Sequence, residues 1–283
     1  MKTILGIRRS HQFSPNHIGN DSKIFNITAA ELEKKGFAVR QMTEEEFYST
    51  DDIQDDIIFS MIRSIENVNK LKQLEANGIK VINSGKGIEN CFRANMTTLL
   101  LNNGIPYPKS YIISTEDNPK DAFDGLGSKN IWIKRGDFHT LHKEDIAFCR
   151  HCEEGEEILN EYAVRGIPNA VLSEHLWGDL VKFYAVKNTP FFYWFYPFDA
   201  NHLMFGAQKP EHTSHFDFDI SELRSIAEKA AAVLDVDIYG GDAIISKENK
   251  IQLIDVNDWP SFAPCRNEAG KHIADAIKLK VAN

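Results

Sequence analysis

Gly240-Gly241-Asp242-Ala243-Ile244-Ile245-Ser246-Lys247-Glu248-Asn249-Lys250-Ile251-Gln252-Leu253-Ile254-Asp255-Val256-Asn257 reads as two β-branched strands around a polar turn. With Glu248-Asn249 as a two-residue hairpin turn, Lys247 pairs with Lys250. Counting back along both strands sets Asp242 opposite Asp255, and Asn257 shares the face of Asp255 because side chains alternate. Two carboxylates facing each other among apolar neighbours repel, so the pairing predicts a cation between them. Oxygen-only donors, two Asp and one Asn, suit a hard ion such as Mg²⁺ that also takes phosphate oxygens. The alternative is an exposed hairpin mouth whose acids are merely solvated.

Upstream of this hairpin the pattern alternates strand and helix. Thr3–Ile7, Phe37–Gln41, Asp56–Met61 and Lys80–Asn83 read as strands, with helices over Ser22–Lys35 (capped by Asn20 or Asp21) and Ile65–Asn77. The expectation is a small open-sheet lobe over 1–82. A helix over Ile88–Asn102, the rigid turn Ile105-Pro106-Tyr107-Pro108, strands near Lys109–Ile113, Asn130–Lys134 and Asp145–Cys149, and a helix over Glu153–Arg165 predict a second block, 83–172. The third, 173–283, holds strands at Leu180–Val186 and Phe191–Tyr196, a helix over Ser221–Leu234 capped by Asp219, the hairpin, and a closing helix around Ala269–Lys280. The class is α/β, an open-sheet lobe followed by two α+β subdomains.

A chain of 283 residues, 42% of them hydrophobic, is long enough for these lobes to bury cores. The net charge of −9 argues against a nucleic-acid partner, which needs clustered Lys and Arg. No apolar run approaches the roughly 18 residues of a membrane helix. The first strand is too short to be a secretion signal, so a cytoplasmic protein is expected. The four cysteines, Cys91, Cys149, Cys152 and Cys265, read as reduced thiols rather than a disulfide scaffold.

Taken in order, several segments resemble the ATP-grasp superfamily, especially glutathione synthetases and glutamate-adding ligases. Asn83-Ser84 before a helix and then Gly104-Ile105-Pro106-Tyr107-Pro108 is similar to the opening of the ATP-grasp domain. Ile131-Trp132-Ile133-Lys134 is similar to the strand that ends in a phosphate-binding lysine. Ser173-Glu174-His175-Leu176, with Gly178 after it, resembles the adenine hinge. Gly241-Asp242 and Asp255-Val256-Asn257-Asp258-Trp259-Pro260-Ser261-Phe262 resemble the metal-binding strands and the loop beyond them.

The resemblance implies ATP and Mg²⁺, with Mn²⁺ as a substitute. It places Lys134 and Arg93 on the ATP phosphates, and Glu174, His175 and the Leu176 backbone at adenine. Asp179 would reach the ribose, and Lys182 would neutralise phosphate or developing charge. Asp242, Asp255 and Asn257 would hold the metal. The implied reaction joins a small-molecule acid to an amine, or to a thiol, through an acyl phosphate; a homodimer is common in the superfamily. Three departures stand out: Asp255 where glutamate is usual, Arg93 in place of the first ATP lysine, and Arg135-Gly136-Asp137-Phe138-His139 in place of a glycine-rich loop. The alternatives are an ATP-grasp small-molecule kinase or a catalytically weak nucleotide-binding module.

Other features have competing explanations. Arg8, His11 and His17 follow the first strand at the edge where open sheets form sites, and Arg63 follows another strand. With Arg266, placed where related ligases contact substrate and counted as catalytic with Lys182, they are substrate candidates; solvated loops are the alternative. Asn83-Ser84-Gly85-Lys86-Gly87 lacks the first glycine of a P-loop. His139, His142, Cys149 and Cys152 have the spacing of a zinc set, or simply pack. The aromatic run Phe191–Tyr196 suits core or an oligomer interface.

Overall fold

The computed structural model describes residues 2–13, 18–197 and 215–282. Three four-stranded sheets organise them. The first lobe runs β1 (Thr3–Arg8), α1 (Ile18–Lys34), β2 (Ala38–Thr43), α2 (Glu44–Ser49), β3 (Ile57–Ser60), α3 (Ile65–Ala76) and β4 (Lys80–Ile82), with parallel strand order β2-β1-β3-β4. Two helices, α4 (Gly85–Asn90) and α5 (Arg93–Asn102), lead to the second sheet. That part comprises β5 (Ser110–Ser114), α6 (Lys120–Leu126), β6 (Ile131–Arg135), β7 (Ile146–Cys149), α7 (Cys152–Val164) and β8 (Asn169–Glu174), in antiparallel order β5-β8-β6-β7. The third contains β9 (Asp179–Val186), β10 (Phe192–Phe195), α8 (Ile220–Leu234), β11 (Ile238–Ile245), β12 (Ile251–Asp258) and α9 (Arg266–Ala282), in antiparallel order β10-β9-β11-β12. No helix among the described residues is long and apolar enough to cross a membrane.

Four details correct the sequence reading. Helix α1 begins at Ile18, so Asn20 and Asp21 lie inside it; Asp21 is buried and its carboxylate binds Arg9 at 3.0 Å. The helix expected over Ile88–Asn102 breaks at Cys91-Phe92 into α4 and α5. Strand β8 runs through the 172/173 division and pairs with β5 and β6 along its length. Finally, α9 lies on α1, with Ala269, Ile273, Ala274 and Ile277 packing into the core of Ile24, Phe25, Ala29 and Leu32. The last helix thus covers the first lobe.

Trp259 and Phe262, both fully buried, enter that same core from beyond β12 and tie the third sheet to the first. Each aromatic anchor of this size contributes about 1.5–3 kcal/mol through apolar burial. The loop at Asn83 makes a second tie. The Asn83 carboxamide, 0% exposed, accepts the Asp237 and Ile238 amides and donates to the Ile238 carbonyl. Ser84 caps α4 and donates to Asp235, while a Cβ on Gly87 would lie 2.1 Å from the Asp235 carbonyl oxygen. The Gly85 amide already donates to Glu75 and the Gly87 amide to Ser84. The Asn83–Gly87 segment is therefore a packing joint, and an anion is not what its amides hold.

The aromatic run of β10 alternates between two cores. Phe192, Trp194 and Tyr196 pack with the helices of the third sheet, and Phe191 and Tyr193 face the α1–α9 core.

Candidate functional site

The β11–β12 hairpin reaches the expected register by an unexpected route. Ser246 donates to the Lys250 carbonyl at 2.9 Å and Ile245 pairs with Ile251, so the loop is Lys247-Glu248-Asn249, with Asn249 left-handed at φ 61°. Asparagine tolerates that conformation, and three-residue loops commonly close this way. This loop alone would place Asp242 opposite Ile254. A β-bulge then intervenes: Ala243 pairs with Leu253, but Asp242 pairs with Asp255.

The extra residue also resets the faces. Ile251, Leu253 and Val256 point into the helix-covered core. Asp255 and Asn257 consequently share the opposite face with Asp242. Strand β9 extends the row, because Lys182 pairs with Asp242.

Two groups from outside this sheet complete the cluster. Lys134, at the end of β6, is 7% exposed and its ammonium donates to the Ile254 carbonyl at 3.5 Å; the Tyr107 hydroxyl donates to the same oxygen at 3.4 Å. Arg93, at the start of α5, lies 3.5 Å from the Asp255 carboxylate and donates to Thr140. The structure thus brings Arg93, Lys134, Lys182, Asp242 and Asp255 together.

Its charge balance differs from the sequence reading. Asp242 binds Lys182 at 2.6 Å, and Asp255 has Arg93 and Lys134 nearby. Amino-acid cations therefore relieve the repulsion that pointed to a metal. Burial alone would raise the Asp255 carboxyl, but Arg93, then Lys134, His139 and Lys182, hold it below its ordinary value. Burial, then Arg93, pulls Lys134 down to about 8. Burial also pushes Tyr107 up to about 12.

The donor set still fits Mg²⁺. Asp255 Oδ1 is buried without a hydrogen bond, Asp242 stands opposite, and Asn257 is half-buried one row further along the same face. No three His, Cys, Asp or Glu side chains converge among the described residues, and Asn257 is the further side-chain oxygen on this face. His139, His142, Cys149 and Cys152 accordingly form no zinc set. His139 binds Asp258, His142 caps a 3₁₀ turn, and the Cys149 thiol donates to the His151 carbonyl.

The hinge candidates lie on the link from β8 to β9, which joins the second sheet to the third. Glu174 accepts the Lys109 amide, His175 Nδ1 accepts the Trp132 indole at 3.0 Å, and Asp179 accepts the Phe216 amide at 2.6 Å. Leu176 is half-buried there. Neither hydrogen bonds nor ion pairs connect these four residues to the charged cluster.

The substrate candidates gather at the carboxyl edge of β1. Arg8 and His11 line a recess with Arg9, Asp21 and Met61. The Arg8 guanidinium is committed to Asn26 and Gln41 and stacks 4.2 Å over Phe25. Arg266 pairs with Asn20, and its buried Nε has no partner. Arg63 is buried against Asp258, 3.5 Å away. His17 lies outside the described residues.

No sequence motif pairs Asp258 with His139. Asp258 is 0% exposed and meets His139 at 3.0 Å and Arg63 at 3.5 Å, so one carboxylate joins all three parts of the molecule. Arg63 and Asp258 are 195 residues apart, and no local pattern marks the pair. The loop carrying His139 is folded in rather than glycine-rich. Arg135 grips Asp137 with two 2.9 Å bonds, and Phe138, 6% exposed, enters the first lobe's core beside Phe13 and Phe92.

No family model matches the chain, and no curated protein matches it in sequence. Solved structures match its fold over nearly its whole length. D-alanine–D-alanine ligase from Bacillus anthracis superposes with a TM-score of 0.72 at 14% identity, covering 100% of this chain and 98% of that one; it has also been solved complexed with ATP. N5-carboxyaminoimidazole ribonucleotide synthetase from Thermotoga maritima gives 0.66 at 17% identity, covering 98% and 76%. A RimK domain protein ATP-grasp from Sphaerobacter thermophilus DSM 20745 gives 0.67 at 11% identity, covering 97% and 99%.

Proposed function

Because the chain has the ATP-grasp fold, we propose that it is an ATP- and Mg²⁺-dependent ligase joining a carboxylate to an amine. The observation that carries this reading is the meeting of Arg93 and Lys134 with the row Lys182, Asp242 and Asp255. Three cations and two acids from different parts of the chain suit a polyphosphate with its metal better than they suit a structural ion network.

Asp242, Asp255 and Asn257 would hold Mg²⁺, which when bound neutralises phosphate charge. Arg93 and Lys134 grip the phosphates, and Lys182 offsets charge on the transferring group; positioning and charge complementarity do the rest. Glu174, His175 and the Leu176 backbone border the base, with Asp179 toward the ribose. The acid's carboxylate oxygen bonds to the γ-phosphorus as the bond to ADP breaks. The amine nitrogen then bonds to the carbonyl carbon, phosphate leaves, and one proton leaves the nitrogen. Arg266 stands at the acid's end. Amino acids and short peptides are the proposed substrate class.

The test is a matrix of amino acids and dipeptides as acids and amines, followed by coupled ADP release and product mass. Joint release of ADP and phosphate requiring both partners supports the ligase. Phosphate retained on the acid indicates a kinase instead, and normal Mg-ATP binding without turnover indicates a nucleotide-binding module.

A further inference from the structure

Beside the charged row runs a second row, Tyr193, Tyr184, Gly240 and Asn257. Tyr184 lies two residues beyond Lys182 on β9, so it shares that face, roughly 7 Å further along. Gly240 has no side chain to fill the row. A Cβ there would lie 2.6 Å from Tyr184 Cδ1, so the phenol ring occupies the space that Gly240 leaves open. Phe195 and Phe262 hold the ring, with centroids 5.8 and 5.1 Å away.

Tyr184 is half-buried, and its hydroxyl forms no hydrogen bond among the described residues. Burial, then Asp242, raises its pKa well above the ordinary value, so it remains a donor. The positive charge of Arg266 partly offsets that rise. A second unused donor belongs to that arginine: its Nε is buried and unpartnered while its terminal nitrogen binds Asn20. Between the metal row and α9 the structure therefore offers two donors, one neutral and one cationic.

We propose that Tyr184 is a substrate-binding residue whose hydroxyl, together with Arg266, holds the carboxylate of the acid for phosphoryl transfer. This rests on the ligase reading and names a residue that neither the sequence motifs nor the shared fold singles out. A carboxylate matches the pair because it accepts from both a phenol and a guanidinium.

Tyr184→Phe keeps the ring packing and removes only the donor. Hydroxylamine serves as a generic amine, trapping the activated acid as a hydroxamate from Mg-ATP and a panel of amino acids and dipeptides. The variant is expected to raise KM for the acid about 10- to 100-fold, the loss of one hydrogen bond to a charged group. KM for ATP and Tm should stay at wild-type values, which a merely structural role for the hydroxyl would not predict. A wild-type KM for the acid in Y184F overturns the assignment and leaves the ligase reading intact. If wild-type protein binds Mg-ATP but forms hydroxamate from no acid, the ligase reading falls, and the role of Tyr184 with it.

Discussion

The Lys134 ammonium donates to the carbonyl of Ile254, the residue that the β-bulge inserts between Leu253 and Asp255. One contact thus links the second sheet to the irregularity that turns Asp255 toward the site. The same ammonium is buried, and burial followed by Arg93 holds its pKa at about 8.

Lys134 should make nucleotide binding depend on pH. Affinity is expected to fall as pH rises through about 8, and nucleotide binding near that pH should take up a proton, visible by calorimetry in buffers of different ionisation enthalpy. Lys134→Ala should weaken binding about 10- to 100-fold and abolish the uptake. For stability the sign is opposite. Between about 8 and its unfolded value near 10.4 the unfolded chain binds more protons, so this group adds stability as pH rises across that window.

Asp242→Asn preserves shape and removes one metal-facing charge. Turnover is expected to drop about 10²- to 10³-fold, with a higher Mg²⁺ requirement. Turnover like that of wild type across a Mg²⁺ titration would rule out the metal site.

Asp258 compensates Arg63 in a fully buried setting beside His139, and Arg63 holds its pKa well below the carboxylate range against the opposing effect of burial. Asp258→Asn leaves the Arg63 guanidinium uncompensated and should cost about 3–5 kcal/mol in urea unfolding. His139 is pulled down to about 4 by burial, then by Arg63. The unfolded chain therefore binds the extra proton below its ordinary value near 6.5, and stability is lost as pH falls from there toward about 4. His139→Gln should flatten that part of the profile; an unchanged slope would show that the acid sensitivity lies elsewhere.

Phe138 carries the loop after Lys134 into the core of the first lobe. Phe138→Ala should cost about 3–5 kcal/mol and raise amide exchange in the loop and in the first lobe together. Exchange rising in the loop alone would mean that the side chain does not couple the two parts.

The sequence by itself determined what local patterns encode. Apolar periodicity set β1, α3, β6 and α8 within a residue or two, and Asp219 caps α8 as its position implied. The ordered segments around Lys134, Glu174, Asp242 and Asp255 also pointed to the fold. Tertiary structure alone decided how the site is built. A three-residue loop and a compensating bulge bring Asp242 and Asp255 together, since strand pairing follows core burial of Leu253 and Val256 rather than turn propensity. Likewise, Arg63, His139 and Asp258 come from three distant segments, and Tyr184 gains its place from the absent side chain of Gly240. Such relationships depend on the packing of elements far apart in the chain, which short-range spacing does not record.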